Sequence, residues 1–208
     1  MKYLSFFILL FIGELSVSAQ HMFSRQFPFF NQLSSNEIFS IHQDREGYFW
    51  IGTTNGLARY DGYQLNTFRT DYKNQNLLTD NGITAINDND LYVWIGTWKG
   101  LNLYNKKTCR ITPFSDARLL NKVVDAITVD KDGNVWVSAG GMIYRCDSTA
   151  HIIKEYEVGN IQEGYAISNI YVDQQKQLWA VGSRGIFRYE PETDSFFRYP
   201  PLGNGHTA

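Results

Sequence analysis

Charge of one sign is missing from this 208-residue chain: 19 Lys and Arg stand against 21 Asp and Glu, a formal net charge of −2. That balance leaves no basic face for nucleic acid and no polybasic patch for a membrane surface. Cysteine is scarce, with only Cys109 and Cys146. Neither stands near another Cys or a His at metal-ligand spacing, and His21, His42, His151 and His206 are equally isolated. No metal and no cofactor is expected. His42 reads as a hydrogen-bonded structural residue rather than a catalytic one. A Gly-x-Ser-x-Gly elbow and a phosphate-cradling glycine loop are both lacking. Beyond the first residues no apolar run is long enough to span a bilayer, and helical periodicity is not evident. Aromatic residues are plentiful, at 15% of the chain, which suits short β-strands with aromatic anchors.

Residues 1–19 differ from the rest. Lys2 gives a basic start, Phe6 to Ile12 is uninterruptedly apolar, and Ser16, Val17, Ser18 and Ala19 are small. That order describes a secretory signal peptide cleaved after Ala19. Glu14 and the short run argue against a membrane anchor, and no Cys near the cleavage point offers a site for lipid. The mature chain is therefore expected in the periplasm, without membrane contact beyond the leader.

One phrase recurs. It is clearest as Trp50-Ile-Gly-Thr-Thr-Asn-Gly-Leu-Ala-Arg-Tyr-Asp61, and echoes begin at Trp94, Trp136 and Trp179, about 43 residues apart. Six positions after the Trp stand Gly56, Gly100, Met142 and Gly185, where a tight turn requires positive φ. The third copy breaks the pattern but carries Gly140 and Gly141 just before it. Nine positions on are Arg59, Leu103, Arg145 and Arg188; ten positions on are Tyr60, Tyr104, Cys146 and Tyr189. Six residues upstream of three of the tryptophans lie Asp44, Asp130 and Asp173, read as turn formers. The second copy is one residue shorter there and has Asn89. Further upstream an apolar pair repeats: Ile38 and Ile41, Ile83 and Ile86, Val124 and Ile127, Ile167 and Ile170. Phe68, Phe114, Tyr156 and Phe197 mark a fourth strand.

Four short strands per repeat describe an all-β fold of four propeller blades in a partial or open ring. The expected boundaries are an N-terminal strand in 20–32, blades at 33–77, 78–119, 120–162 and 163–199, and a tail at 200–208. Each recurring Trp is expected to pack between neighbouring blades. Cys109 and Cys146 occupy different places in their repeats, so symmetry gives no argument for a bridge, and both read as small apolar residues. Trp98 and Lys99 depart from the repeat at turn positions held by Thr54 and Asn55 in the first copy. With Arg184 and Asn55 they form the candidate ligand-binding set: a ring to stack on a sugar, cations for a carboxylate or sulfate.

The stretches Leu33-Ser-Ser-Asn-Glu-Ile-Phe-Ser-Ile-His-Gln-Asp44 and Gly47-Tyr-Phe-Trp-Ile-Gly-Thr-Thr-Asn-Gly-Leu-Ala-Arg-Tyr-Asp-Gly62 resemble the two-component regulator propeller repeat. That repeat is found in the exported sensor half of hybrid two-component histidine kinases of Bacteroidota type. The likeness covers roughly residues 23 to 199, although the third and fourth copies replace Gly-Thr by Ser138-Ala139 and Val181-Gly182. It implies a periplasmic segment that senses glycans or their breakdown products, with the kinase elsewhere and no catalytic activity in this chain. It also implies that the segment Phe23–Phe30 resembles the strand that completes the last blade of a ring. A four-blade arc leaves apolar faces open. Tight closure, a need for further blades or self-association, and a truncated product are the three outcomes, truncation being favoured. A protein-interaction or structural array is the alternative function, and a carbohydrate-active propeller enzyme a more distant one.

Overall fold

The computed structural model describes residues 29–70, 77–158, 167–183 and 185–199. The expected leader, residues 20–28 and the tail 200–208 lie outside the described residues; 29–32 form a turn and a short 3-10 helix, Phe30–Gln32.

Four antiparallel four-stranded sheets follow one another in chain order. Blade 1 contains β1 (Ile38–Gln43), β2 (Phe49–Thr53), β3 (Gly56–Tyr60) and β4 (Leu65–Phe68). Blade 2 contains β5 (Ile83–Asp88), β6 (Tyr92–Thr97), β7 (Gly100–Asn105) and β8 (Arg110–Pro113). Blade 3 contains β9 (Val124–Val129), β10 (Val135–Ala139), β11 (Met142–Cys146) and β12 (Ile152–Glu157). Blade 4 contains β13 (Ile167–Val172), β14 (Leu178–Gly182), β15 (Gly185–Glu190) and β16 (Ser195–Arg198). The first strands β1, β5, β9 and β13 pack against one another in sequence. They line the axis of a partial propeller, and the blades fan outward from them. Phe114, expected in a fourth strand, lies one residue past β8.

The first strands explain an oddity of the sequence. Apolar residues three apart would fall on opposite faces of a regular strand. Each first strand, however, slips register once, leaving Phe39, Thr84, Asp125 and Ser168 outside the ladder. A bulge of one residue re-phases the strand. Ile83 and Ile86 therefore enter one cluster, Val124 and Ile127 the next, and Ile167 and Ile170 the third.

Those clusters are the core, and each lies between blades. Trp50 and Leu57 of blade 1 meet Ile83, Ile86, Val93 and Tyr104 of blade 2. Trp94 and Leu101 meet Val124, Ile127 and Val135. Trp136 and Ile143 meet Ile167, Ile170, Leu178 and Phe187. These three indoles are at most 1% exposed, as expected of an interblade residue. Trp179 faces the open end and is only partly buried. Gly52 and Gly96 permit the close approach: a Cβ on Gly52 would lie 2.7 Å from Ile83 Cγ2, and one on Gly96 2.6 Å from Val124 Cγ1. In blade 3 the tight turn moves to Gly140 (φ 57°) and Gly141 (φ 82°), which accounts for Met142 at the expected glycine position.

Among the described residues the arc is open at both ends. Ile38, Ile41 and Phe49 are exposed on the leading face of blade 1, and Tyr171, Val181, Ile186 and Phe197 are exposed in blade 4.

Candidate functional site

In three of the four blades the turn between first and second strands is built by one carboxylate. Asp44 Oδ1 accepts the backbone N–H of Glu46 (3.0 Å) and Tyr48 (2.9 Å), while Oδ2 accepts the Trp50 indole N–H at 2.6 Å. Asp130 takes the N–H of Asp132 and Asn134 and the Trp136 indole at 2.8 Å. Asp173 repeats this with Gln177 and Trp179, and the Trp179 hydrogen bond holds its carboxyl below the usual range. Blade 2 differs. Asn89 Oδ1 accepts Leu91 and Tyr92, its Nδ2 donates to the Ser148 carbonyl, and the buried Trp94 indole N–H has no partner.

These turns border a cleft of about 500 Å³ at one end of the axis, lined by Arg45, Asn87, Asp88, Thr128, Tyr171 and Lys176 among others. Asp88, 4% exposed, is its electrostatic anchor. Burial alone would raise its carboxyl, but hydrogen bonds from His42 Nε2 and Lys106 Nζ, each at 2.7 Å, outweigh that and bring it down to about 2. The Arg45 N–H adds a third donor at 3.2 Å, and the Arg45 guanidinium pairs with Asp90. So saturated, Asp88 stays ionised and is unsuited to proton transfer at neutral pH. Asn87 Nδ2 reaches across to the Ile127 carbonyl at 3.1 Å. Tyr171, Thr128 and Lys176 carry no side-chain hydrogen bond or ion pair within the described residues; the Tyr171 ring is 57% exposed. A partly solvated ring beside polar donors can stack on and hydrogen-bond a small polar ligand.

Asp125, one of the four bulged residues, lies toward the opposite end of β9 and behaves differently. Desolvation raises its carboxyl to about 6, within reach of a proton exchange near neutrality. Among the described residues, no group of His, Cys, Asp and Glu is arranged to hold a metal ion. Cys109 and Cys146 are free thiols; burial pushes Cys146 up to about 12.

Asn55, Trp98 and Lys99 lie on the turns between second and third strands, at the end of the blades away from the cleft. Each is engaged locally. Asn55 accepts from Arg69 (2.8 Å) and donates to the Ser34 carbonyl (3.2 Å). The Trp98 ring lies over Gly82, edge-on to Phe39 at 6.1 Å, and is 43% exposed. Lys99 Nζ pairs with Asp80 at 3.0 Å. Arg184 lies outside the described residues. The sequence reading passed over Arg45, Asn87, Thr128, Tyr171 and Lys176. One signal was available: His42, Asn87, Thr128 and Tyr171 occupy the same place in the four first strands and vary directly after a constant Ile.

A family model described as "Two component regulator propeller" matches residues 32–55 and 118–141. No curated protein matches the chain. Among solved structures, the extracellular domain of BT4673 from B. thetaiotaomicron, described as a one component system, is 23% identical with a TM-score of 0.62. The match covers 78% of this chain and 22% of that one. The extracellular domain of BT3049 from the same organism, described as a hybrid two component system, is 21% identical (TM-score 0.55; 79% and 30% covered). Virginiamycin B lyase from Staphylococcus aureus is 17% identical (TM-score 0.63; 81% and 57% covered). The chain thus spans well under two thirds of each, and at such identities the likeness is one of fold. The first two of these neighbours are extracellular domains. The expectation that the chain is not an enzyme is corrected. Propeller enzymes, the lyase and an ancestral GH74 enzyme (TM-score 0.62) among them, match the fold as closely as those extracellular domains do. The physical reason is that a blade scaffold carries either role on its loops and axis, so the repeat that identifies the fold does not select between them.

Proposed function

We propose that this chain is the ligand-recognition part of an exported propeller protein, with the axial cleft as its site and a glycan fragment as its occupant. The observation that carries the reading is the cleft lining: the exposed Tyr171 ring stands with Thr128 and Lys176, none of them engaged by another side chain among the described residues. A cleft of about 500 Å³ falls within the range of small-molecule sites. The match to the two-component regulator propeller supports a sensor, in which occupancy of the cleft is passed to another module. A second reading, an enzyme acting on such a ligand, is favoured by the lyase and GH74 likeness.

Calorimetric titration with a panel of neutral and uronate-containing oligosaccharides tests the proposal. Saturable binding is expected, weakened at least tenfold in Tyr171→Ala and little changed in Trp98→Ala. Loss of binding in Trp98→Ala with Tyr171→Ala unaffected would move the site to the opposite rim, and no binding across the panel would defeat the reading. Chromatography of the same mixtures separates the two roles: new products that vanish with Tyr171→Ala indicate the enzyme, and unaltered oligosaccharides the sensor.

A further inference from the structure

The turns between first and second strands share one backbone in blades 1, 3 and 4. The residue three past the carboxylate donates its N–H to that residue's carbonyl: Gly47 to Asp44 at 2.9 Å, Gly133 to Asp130 at 3.2 Å and Lys176 to Asp173 at 3.0 Å. All three take the left-handed region, with φ of 92°, 82° and 64°. Glycine adopts it freely, whereas an L residue there brings its Cβ against the following carbonyl oxygen. Room is not what selects glycine, since a Cβ on Gly47 or Gly133 would meet nothing within 4 Å. A short polar side chain such as Asn recovers part of the cost by a local hydrogen bond, but the Lys176 side chain makes none among the described residues. Blade 4 therefore holds a lysine where the turn calls for glycine, and that lysine lines the cleft. Backbone strain of this kind gathers at ligand sites.

The charges of the cleft are unevenly committed. Its two carboxylates, Asp88 and Asp173, are occupied by donors of the protein itself. Asp88 accepts from His42, Lys106 and the Arg45 N–H, and Lys106 gives it a counter-charge at 2.7 Å. Asp173 accepts from the Gln177 N–H and the Trp179 indole. The two cations are less engaged. The Arg45 guanidinium pairs with Asp90 through one terminal nitrogen, and its Nε stands 4.0 Å from Asp88, beyond hydrogen-bond reach. Donors of the guanidinium fork are thus left over. The Lys176 ammonium has no ion pair among the described residues. A ligand entering the cleft meets cations with charge to give and carboxylates already satisfied.

We propose that the cleft selects an acidic sugar, with Lys176 as the specificity-determining residue. Its ammonium takes the carboxylate or sulfate of the ligand, and Arg45 of blade 1 offers a second donor to the same anionic group. The inference rests on the cleft being the glycan site, and it names the class of glycan that site takes. A neutral sugar gains nothing from either charge, so it would leave the strained turn of blade 4 without a function. Lysine suits the task because its charge sits at the end of a long flexible stem, which reaches into the cleft from a turn at its rim.

Calorimetric titration at low salt with tri-galacturonate, sulfated galactotriose and neutral galactotriose reads the outcome. At least one acidic trisaccharide is expected to bind about tenfold more tightly than the neutral one, and the tighter of the two identifies the anion. Lys176→Gly restores the turn residue of blades 1 and 3, so its melting temperature is expected to be unchanged or up to about 4 °C higher. The same variant should lose the acid preference while keeping its affinity for galactotriose, and Lys176→Arg should retain the preference. Equal binding of all three sugars by the wild-type chain would leave the cleft a glycan site and overturn its acid selectivity. Preference intact in Lys176→Gly, with lower melting, would make Lys176 structural and overturn the proposal too. If no sugar binds, the glycan reading falls, and inorganic sulfate still tests the cations. Amide resonances of Gln177 and Thr128 that shift saturably with sulfate, and do not in Lys176→Gly, support the anion site; unmoved resonances in the wild-type chain overturn it.

Discussion

The indole–carboxylate pair is the smallest unit that recurs in this fold. In blade 1 the carboxylate of Asp44 caps a turn and accepts the Trp50 N–H, joining backbone order to core packing through one side chain. Blade 2 has an amide instead, whose single oxygen is taken by the turn and whose nitrogen only donates, so Trp94 keeps an unpaired N–H. Replacing Trp by Phe should therefore cost less in blade 2. We expect Trp94→Phe to be milder than Trp50→Phe by about 1–2 kcal/mol in urea denaturation, since only the latter removes a charge-assisted hydrogen bond. Asp88 gives a pH signature. Its folded value of about 2 lies below the ordinary 3.8, so its contribution is fully present above pH 4 and is lost as pH falls through 2. The loss amounts to about 2 kcal/mol, and Asp88→Asn should flatten that acid limb of the stability curve.

Strands show where the sequence was legible and where it was not. Trp, Gly and Tyr at fixed offsets marked second and third strands because tight turns and interblade burial restrict those positions in most copies, Met142 and Cys146 of the third being the departures. The first strands were harder: an apolar spacing of three fits a strand only once a bulge is known, and pairing register alone reveals the bulge. Glycine in the second strands looked like part of a motif, but its physical role is proximity. Gly52→Ala is expected to destabilise by about 1–3 kcal/mol, because the new methyl must displace Ile83 by several tenths of an ångström. Ser138 at the matching place in blade 3 should tolerate Ala far better; it reaches the Ile167 carbonyl through its hydroxyl at 3.1 Å. Comparing the two melting midpoints checks both statements. The cleft stayed hidden for a related reason: Asn87, Thr128 and Tyr171 lie far apart in the chain and meet only where the first strands converge.

At the scale of the molecule, stability is distributed along a line of neighbours rather than around one centre. Blades 2 and 3 each take part in two apolar clusters, and blades 1 and 4 in one each, with their inner neighbour. Amide exchange should therefore be slowest in β6, β7, β10 and β11 and fastest in β16, and slow exchange in β16 equal to that of β10 would contradict this gradient. The blade count and all-β class followed from the repeat alone; the role did not, since an extracellular domain of a one component system and a lyase share the same blade fold. Phe39, Thr84, Asp125 and Ser168 stand one per blade outside the ladder, at matching heights along the axis. A lineage can exchange those four residues without breaking a strand pairing, so the inner wall is free to diversify while its frame is inherited unchanged.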